Sequence, residues 1–210
     1  RLGTVIGILL IALVALSGCD IAGKWSMLKS RRAFKQANVA YGQKEYKHAI
    51  ELYNQTLELD KNPDPRVLVT SIFYRGSSHH LTYQPFRSED EEANEAHLAA
   101  AIEDYETAQR LASEHESEFE MLEAYQKYSM EQLAAIYRDS LKDFENAEKY
   151  FKALIEIDQE APERYYALAD IYERFHDAEE LPLIEKAIET YKTPVDMNPD
   201  EPLSYRQVAN

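Results

Sequence analysis

Four stretches of this 210-residue chain repeat one arrangement of small, charged and aromatic positions. They are Ala49-Ile-Glu-Leu-Tyr53, Ala101-Ile-Glu-Asp-Tyr105, Ala147-Glu-Lys-Tyr-Phe151 and Ala187-Ile-Glu-Thr-Tyr191. A spacing of four puts the alanine and the aromatic on one face of a helix. A large apolar residue stands three positions before each alanine (Tyr46, Leu98, Phe144, Ile184), and an aliphatic one ten positions after it (Leu59, Leu111, Ile157, Met197). An amphipathic stretch with helical periodicity precedes each of the four: Ala33 to Gln43, Val67 to Leu81, Met121 to Asp139 and Glu163 to Phe175. The pattern therefore predicts four consecutive helix–turn–helix units. The alanines allow antiparallel helices to approach closely, and the rings fill the groove beyond.

This register resembles the tetratricopeptide repeat, a helix pair of about 34 residues. The small residue of the family's first helix is matched by Ala37, Gly76 and Ala169, and the aromatic that follows it by Tyr172 and Tyr137. The small and aromatic positions of its second helix are matched in all four units, and its closing proline by Pro63, Pro162 and Pro199. The resemblance implies an all-α, right-handed superhelical solenoid of helix hairpins. It departs from the family in spacing: the alanines lie 52, 46 and 40 residues apart. The excess falls in Thr82 to Asn94 and Asp177 to Leu183, and Pro194 is expected to end the last helix early. Asn198-Pro-Asp-Glu-Pro202 reads as an inter-repeat turn. Leu203 to Asn210, with Tyr205, Val208 and Ala209, reads as the start of a fifth repeat. The array is thus expected over 33–210, and its exposed end, with the lack of an initiating Met, leads us to expect further sequence on both sides.

The first eighteen residues break the pattern. Leu2 to Leu16 is uncharged and apolar on every face, about the length of a signal-peptide core and short for a membrane span. It ends in Leu16-Ser17-Gly18-Cys19, whose cysteine is the only one in the chain. This resembles the lipobox of bacterial lipoproteins, which implies cleavage before Cys19 and lipidation of its thiol. An uncleaved membrane anchor is the alternative. Residues 19–32 then read as a lipidated cysteine followed by a basic linker. From Ile21 to Lys44 there are six basic residues and no acidic one, although the chain as a whole carries −15. Such a collar suits anionic headgroups, with Trp25 at the interface, or serves only as a solubilising linker. The acidic remainder excludes nucleic acid as a partner. The lipobox implies a protein anchored to a bacterial membrane on its extracytoplasmic side.

No motif for catalysis or a cofactor is present: there is no glycine-rich phosphate loop, no Gly-x-Ser-x-Gly and no His-Glu-x-x-His. We expect no enzyme, no cofactor and no metal centre. His79 and His80 point about 100° apart on a helix and cannot share an ion. Ser88 and Glu91 read as a capping box opening the next helix, with the acids around them suiting its dipole.

In the tetratricopeptide family the first helix of each pair lines a concave groove. Carried onto this chain, the resemblance implies a partner-binding surface made of Arg31, Phe34, Asn38 and Tyr41; Phe73, Ser77 and His80; Tyr128, Glu131 and Arg138; and Glu163, Tyr166, Asp170 and Arg174. Rings mixed with both charge signs suit a peptide or a partner helix. The family's carboxylate clamp is not matched, because Phe34 stands where its lysine would be; Arg206 and Asn210 fit that spacing better. The function expected is a membrane-tethered protein-interaction scaffold of the cell envelope. The alternatives are a structural subunit of a membrane complex with an uncleaved N-terminal helix, or the adaptor part of a protein whose catalytic domain lies beyond residue 210.

Overall fold

A computed structural model describes residues 23–86, 90–174 and 181–197. The lipobox residues Leu16, Ser17, Gly18 and Cys19, the capping residue Ser88, and Arg206 and Asn210 lie outside them. All regular structure among the described residues is helical: α1 (23–42), α2 (Tyr46–Leu59), α3 (Pro65–Thr82), α4 (Glu91–His115), α5 (Met121–Ala135) with a π-helical extension (Ile136–Leu141), α6 (Phe144–Ile157), α7 (Pro162–Arg174) and α8 (Leu181–Met197). They group into two compact units, divided between Asp104 and Tyr105 within α4.

In the first unit the predicted small-residue contact is the core. Ala37, Ala40, Ala49 and Tyr53 form a buried cluster, with Phe34, Tyr41, Leu52 and Tyr74 packed on it. Tyr53 is fully buried, a gross stabilisation of about 4–6 kcal/mol for 150–250 Å² of ring surface. Its hydroxyl donates to Asn38 Oδ1 at 2.7 Å, so burial leaves no polar group unmatched there. The turn between α1 and α2 closes a Schellman motif: Lys44 N–H bonds Tyr41 C=O and Glu45 N–H bonds Ala40 C=O, both at 2.9 Å. Lys44 occupies the left-handed position of that motif at φ 64°, where glycine is the usual residue.

Helix α1 is longer than the pattern suggested. The segment read as a basic linker is helical from residue 23, and its inner face belongs to the fold. Ser30 is buried and donates to Thr56 C=O at 2.8 Å, and Ser26 donates to Leu59 C=O. These carbonyls belong to the last turn of α2, which has no partner inside its own helix. Two hydroxyls spaced by four therefore replace what apolar periodicity would have signalled, which is why the hydrophobic pattern misses these turns.

Helix α3 opens with Pro65 at its first position and Asp64 as N-cap, accepting from Arg66 N–H at 2.9 Å. The side-chain bond to Arg66 holds the Asp64 carboxyl at about 2. Helix α4 is capped by Asp90, which accepts from Ala93 N–H at 3.0 Å, two residues later than the expected capping box. The insertion before it is stapled by Asn94, which accepts from Gln84 N–H at 2.8 Å and donates to Gln84 C=O at 3.2 Å.

In the second unit, Ala147, Leu154, Ala169, Ile171 and Leu133 are buried. Arg164, at the start of α7, is buried against the end of α6. It donates to Leu154 C=O at 3.0 Å and Asp158 C=O at 3.3 Å, and its Nη1 lies 3.2 Å from the Asp158 carboxylate. A guanidinium thus satisfies terminal carbonyls and complements the negative end of the α6 dipole. Pro194 does not end α8, which continues to Met197. Its ring is fully buried, and the missing N–H costs one bond with under a turn of described helix remaining. Ile157 and Met197, expected as packing aliphatics, are exposed, each at the last described position of its helix.

Candidate partner-binding surface

The residues of the first unit expected to line a groove lie on α1 and α3. Arg31 and Asn38 are exposed, while Phe34, Tyr41, Phe73, Ser77 and His80 are half-buried. The structure brings Tyr41 and Ser77 together, hydroxyl to hydroxyl at 2.9 Å. Tyr41 is also an edge partner of Tyr46 (centroids 5.8 Å) and Tyr74 (4.8 Å), and Phe73 packs edge-on against Tyr74 at 5.3 Å. The pattern did not single out Tyr74, yet this ring orders the aromatic members of the surface. Asn38 spends its amide oxygen on Tyr53 and keeps its Nδ2 hydrogens for solvent or a ligand. A concavity of 670 Å³ adjoins this stripe, with Leu28, Phe34 and Val67 among its walls and Arg31, Arg32 and Lys35 at its rim.

Polar staples hold α3 to α4 beneath the stripe. Arg75 donates two bonds to the Asp104 carboxylate (Nε 2.9 Å, Nη2 2.5 Å) and a third to Asn54 Oδ1 at 2.7 Å. Burial pushes the Asp104 carboxyl up, against the pull of Arg75. His79 Nδ1 meets Nδ1 of His97 on α4 at 2.8 Å. Desolvation first, then the neighbouring His97, lowers His79 to about 4, so one neutral imidazole donates to the other. Among the described residues no group of three His, Cys, Asp or Glu side chains is placed to hold a metal ion.

In the second unit the predicted residues lie on α5, its π extension and α7. Tyr128 is exposed and shares a concavity of 540 Å³ with Met121, Lys127 and Glu131. Glu131 lies 3.5 Å from Arg164. Arg138 pairs with Asp139 through two bonds (2.9 and 2.8 Å) and covers the Phe151 ring at 5.7 Å. Arg174 pairs with Asp170 at 2.8 Å, Tyr166 lies 6.4 Å from Tyr191, and Glu163 is exposed in the first turn of α7. An exposed pair such as Arg174–Asp170 is worth about 0–1 kcal/mol, so an incoming charged group can exchange with it.

Residues 128–160 match the family model described as Tetratricopeptide repeat. This match begins at Tyr128, one residue later than the register that makes Ala134 the small packing position of α5. The π turn accounts for the offset: its i→i+5 bonding admits one extra residue between the two helices. Ala134 is fully buried, in keeping with that assignment. Among solved structures, MamA 41-end from Desulfovibrio magneticus RS-1 is similar at 16% identity and a TM-score of 0.55, over 86% of this chain and 81% of that one. The MamA RS-1 ArsTM double mutant is similar at 16% identity and 0.56, over the same shares. The fold is that of a tetratricopeptide-repeat protein. A tetratricopeptide protein of Thermus thermophilus is also similar, at 15% identity and a TM-score of 0.42, over 86% of this chain and 97% of that one. No curated protein matches the chain. Among the described residues no helix is long and apolar enough to cross a membrane.

Proposed function

We propose that this chain is a non-catalytic, membrane-tethered scaffold of the bacterial cell envelope that binds a peptide or helix of another protein. The supporting observation is the stripe of Phe34, Asn38 and Tyr41 on α1 beside Phe73 and Ser77 on α3. Partly exposed rings there alternate with hydrogen-bonding groups, and Tyr74 packs edge-on against two of them, Tyr41 and Phe73. Rigid aromatic anchors with polar neighbours give binding energy at low entropic cost. Cys19 supplies the tether through acyl chains on its thiol, each buried CH₂ contributing about 0.8 kcal/mol.

The two halves of the proposal are tested separately. Phe34→Ala leaves the Tyr41–Tyr74 packing and the Tyr53–Asn38 bond in place. It should abolish capture of partners from solubilised membranes at unchanged helicity; capture at wild-type level refutes this surface. Labelled palmitate should enter the wild type but not Cys19→Ser, and equal labelling refutes the lipid anchor. The protein would then be held by an uncleaved N-terminal segment, as a subunit of a membrane complex.

A further inference from the structure

The basic collar is one face of a folded helix. Along α1 the inner side is Ser30, Ala33, Ala37 and Ala40, all buried. The opposite side carries three exposed apolar residues: Trp25 (62% exposed), Leu28 (53%) and Val39 (58%). At about 100° per residue, Leu28 and Val39 fall within about 20° of each other and Trp25 within about 60°. Lys24, Arg31, Arg32 and Lys35, all exposed, lie within about 60° to either side of Leu28. Three bulky apolar side chains exposed on one helix face and bordered by cations are the composition of a helix that lies in a membrane interface, with the Lys and Arg stems on apolar surface and their heads in water.

Charge marks the same face. Every acidic residue except Asp20 falls after Lys44. Arg66 and Arg75 are committed to Asp64 and Asp104, whereas Arg31, Arg32 and Lys35 form no direct ion pair among the described residues, Arg31 acting on the Asp64 carboxylate only through space. The apolar run of residues 2–16 leads into this helix. The concavity beside Arg31 is the competing use of these cations, for an acidic peptide. That concavity takes in neither Trp25 nor Val39, so a peptide there would leave most of the exposed apolar surface uncovered.

We propose that the outer face of α1 docks on an anionic lipid bilayer, with the helix lying along the surface and Trp25 and Leu28 at headgroup level. This rests on the reading of a membrane-tethered chain and adds an orientation: α2, packed on the inner face, is held away from the lipid. The groove stripe of Phe34, Asn38 and Tyr41 lies along the flank of α1, next to the membrane rather than facing it.

Trp25 is the only tryptophan, so the protein carries its own probe. The full chain is mixed with vesicles of phosphatidylcholine alone, or of phosphatidylcholine containing phosphatidylglycerol, and both sedimentation and Trp25 emission are read. With phosphatidylglycerol, emission should shift to the blue, be quenched by brominated acyl chains, and revert in high salt. Arg31→Glu with Lys35→Glu, both on the exposed face, should weaken this response at least about thirtyfold, at about fivefold for each cation lost near an anionic surface. An emission identical in both vesicle types overturns the proposal, as does a response untouched by the charge reversal. A shift produced by an acidic, leucine-containing peptide but not by phosphatidylglycerol overturns it in favour of the peptide. Sedimentation with phosphatidylcholine alone reports the tether: its loss with the Trp25 response intact removes the anchor and keeps the docking face, and the converse removes the docking face only.

Discussion

Arg75 and Asp104 offer the sharpest test of how the first unit is held together. Only 6% of the Asp104 side chain and 25% of the Arg75 side chain is exposed, and two hydrogen bonds join them across α3 and α4. Removing one member of a buried pair costs about 3–5 kcal/mol because it strands the other. The two members are stranded unequally. Arg75→Ala leaves a carboxylate with almost no access to water, and we expect a loss of about 3 kcal/mol at neutral pH. Asp104→Ala leaves a guanidinium that still bonds Asn54 and reaches solvent, and the loss should be about 2 kcal/mol. Replacing both, as Arg75→Met with Asp104→Leu, should cost less than the sum by about 1–3 kcal/mol.

The pH dependence sharpens the argument. The folded Asp104 carboxyl is raised above 3.8 because burial outweighs Arg75. A raised acid contributes its full stability below the unfolded value and loses it as pH rises through the folded one. Without Arg75 the carboxyl rises further, so the deficit of Arg75→Ala should shrink as pH falls from 7 toward 4. Arg75 also lowers His79, so its removal eases protonation of that imidazole and acts in the same direction. Urea unfolding followed by circular dichroism at several pH values, compared with wild type, measures both effects. A deficit below about 0.5 kcal/mol, or one that does not change with pH, refutes the reasoning.

Three further outcomes follow from other sites. His79 is lowered from 6.5 to about 4, so its contribution is complete above pH 6.5 and is lost as pH falls toward 4. After allowance for solvent screening, going from pH 7 to 5 should cost about 1 kcal/mol, and His79→Gln should flatten that slope in thermal melts. Lys44→Gly removes a side chain from a left-handed turn position and should stabilise by about 0.5 kcal/mol, the relieved strain exceeding the added chain entropy; a lowered urea midpoint would show that Lys44 is unstrained. Arg164→Ala uncovers the end of α6 and should cost about 2 kcal/mol, with Arg164→Lys recovering under half, because an ammonium cannot reach Leu154 and Asp158 together. Hydrogen exchange at the last turn of α6 reads this directly.

Much of the fold was legible along the chain. An alanine followed four residues later by a ring is a local code for close helix packing, and Ala49, Ala101, Ala147 and Ala187 are all buried. What the code could not carry were contacts made by polar atoms across long sequence separations. Ser26 and Ser30 carry no hydrophobic signal, so the first two turns of α1 read as linker until their hydroxyls met the end of α2. Arg75 and Asp104, His79 and His97, and Arg164 with the α6 carbonyls read as ordinary surface groups in sequence and are wholly or partly buried partners in space. The π turn before α6 is a change of hydrogen-bond step that leaves residue types unaltered.

By itself, then, the sequence determined the helical hairpins, their small-residue seams, the apolar N-terminal run with its single cysteine, and the segregation of positive charge before Lys44. These are periodicities and compositions, which need only the neighbours along the chain. Tertiary structure alone decided which charges are tied to a direct partner and which are not. Arg31, Arg32 and Lys35 resemble Arg66, Arg75 and Arg164 as letters, but only the second set is bound to acceptors within the fold. A charged side chain declares its role through partners brought from far along the chain, and folding is what brings them.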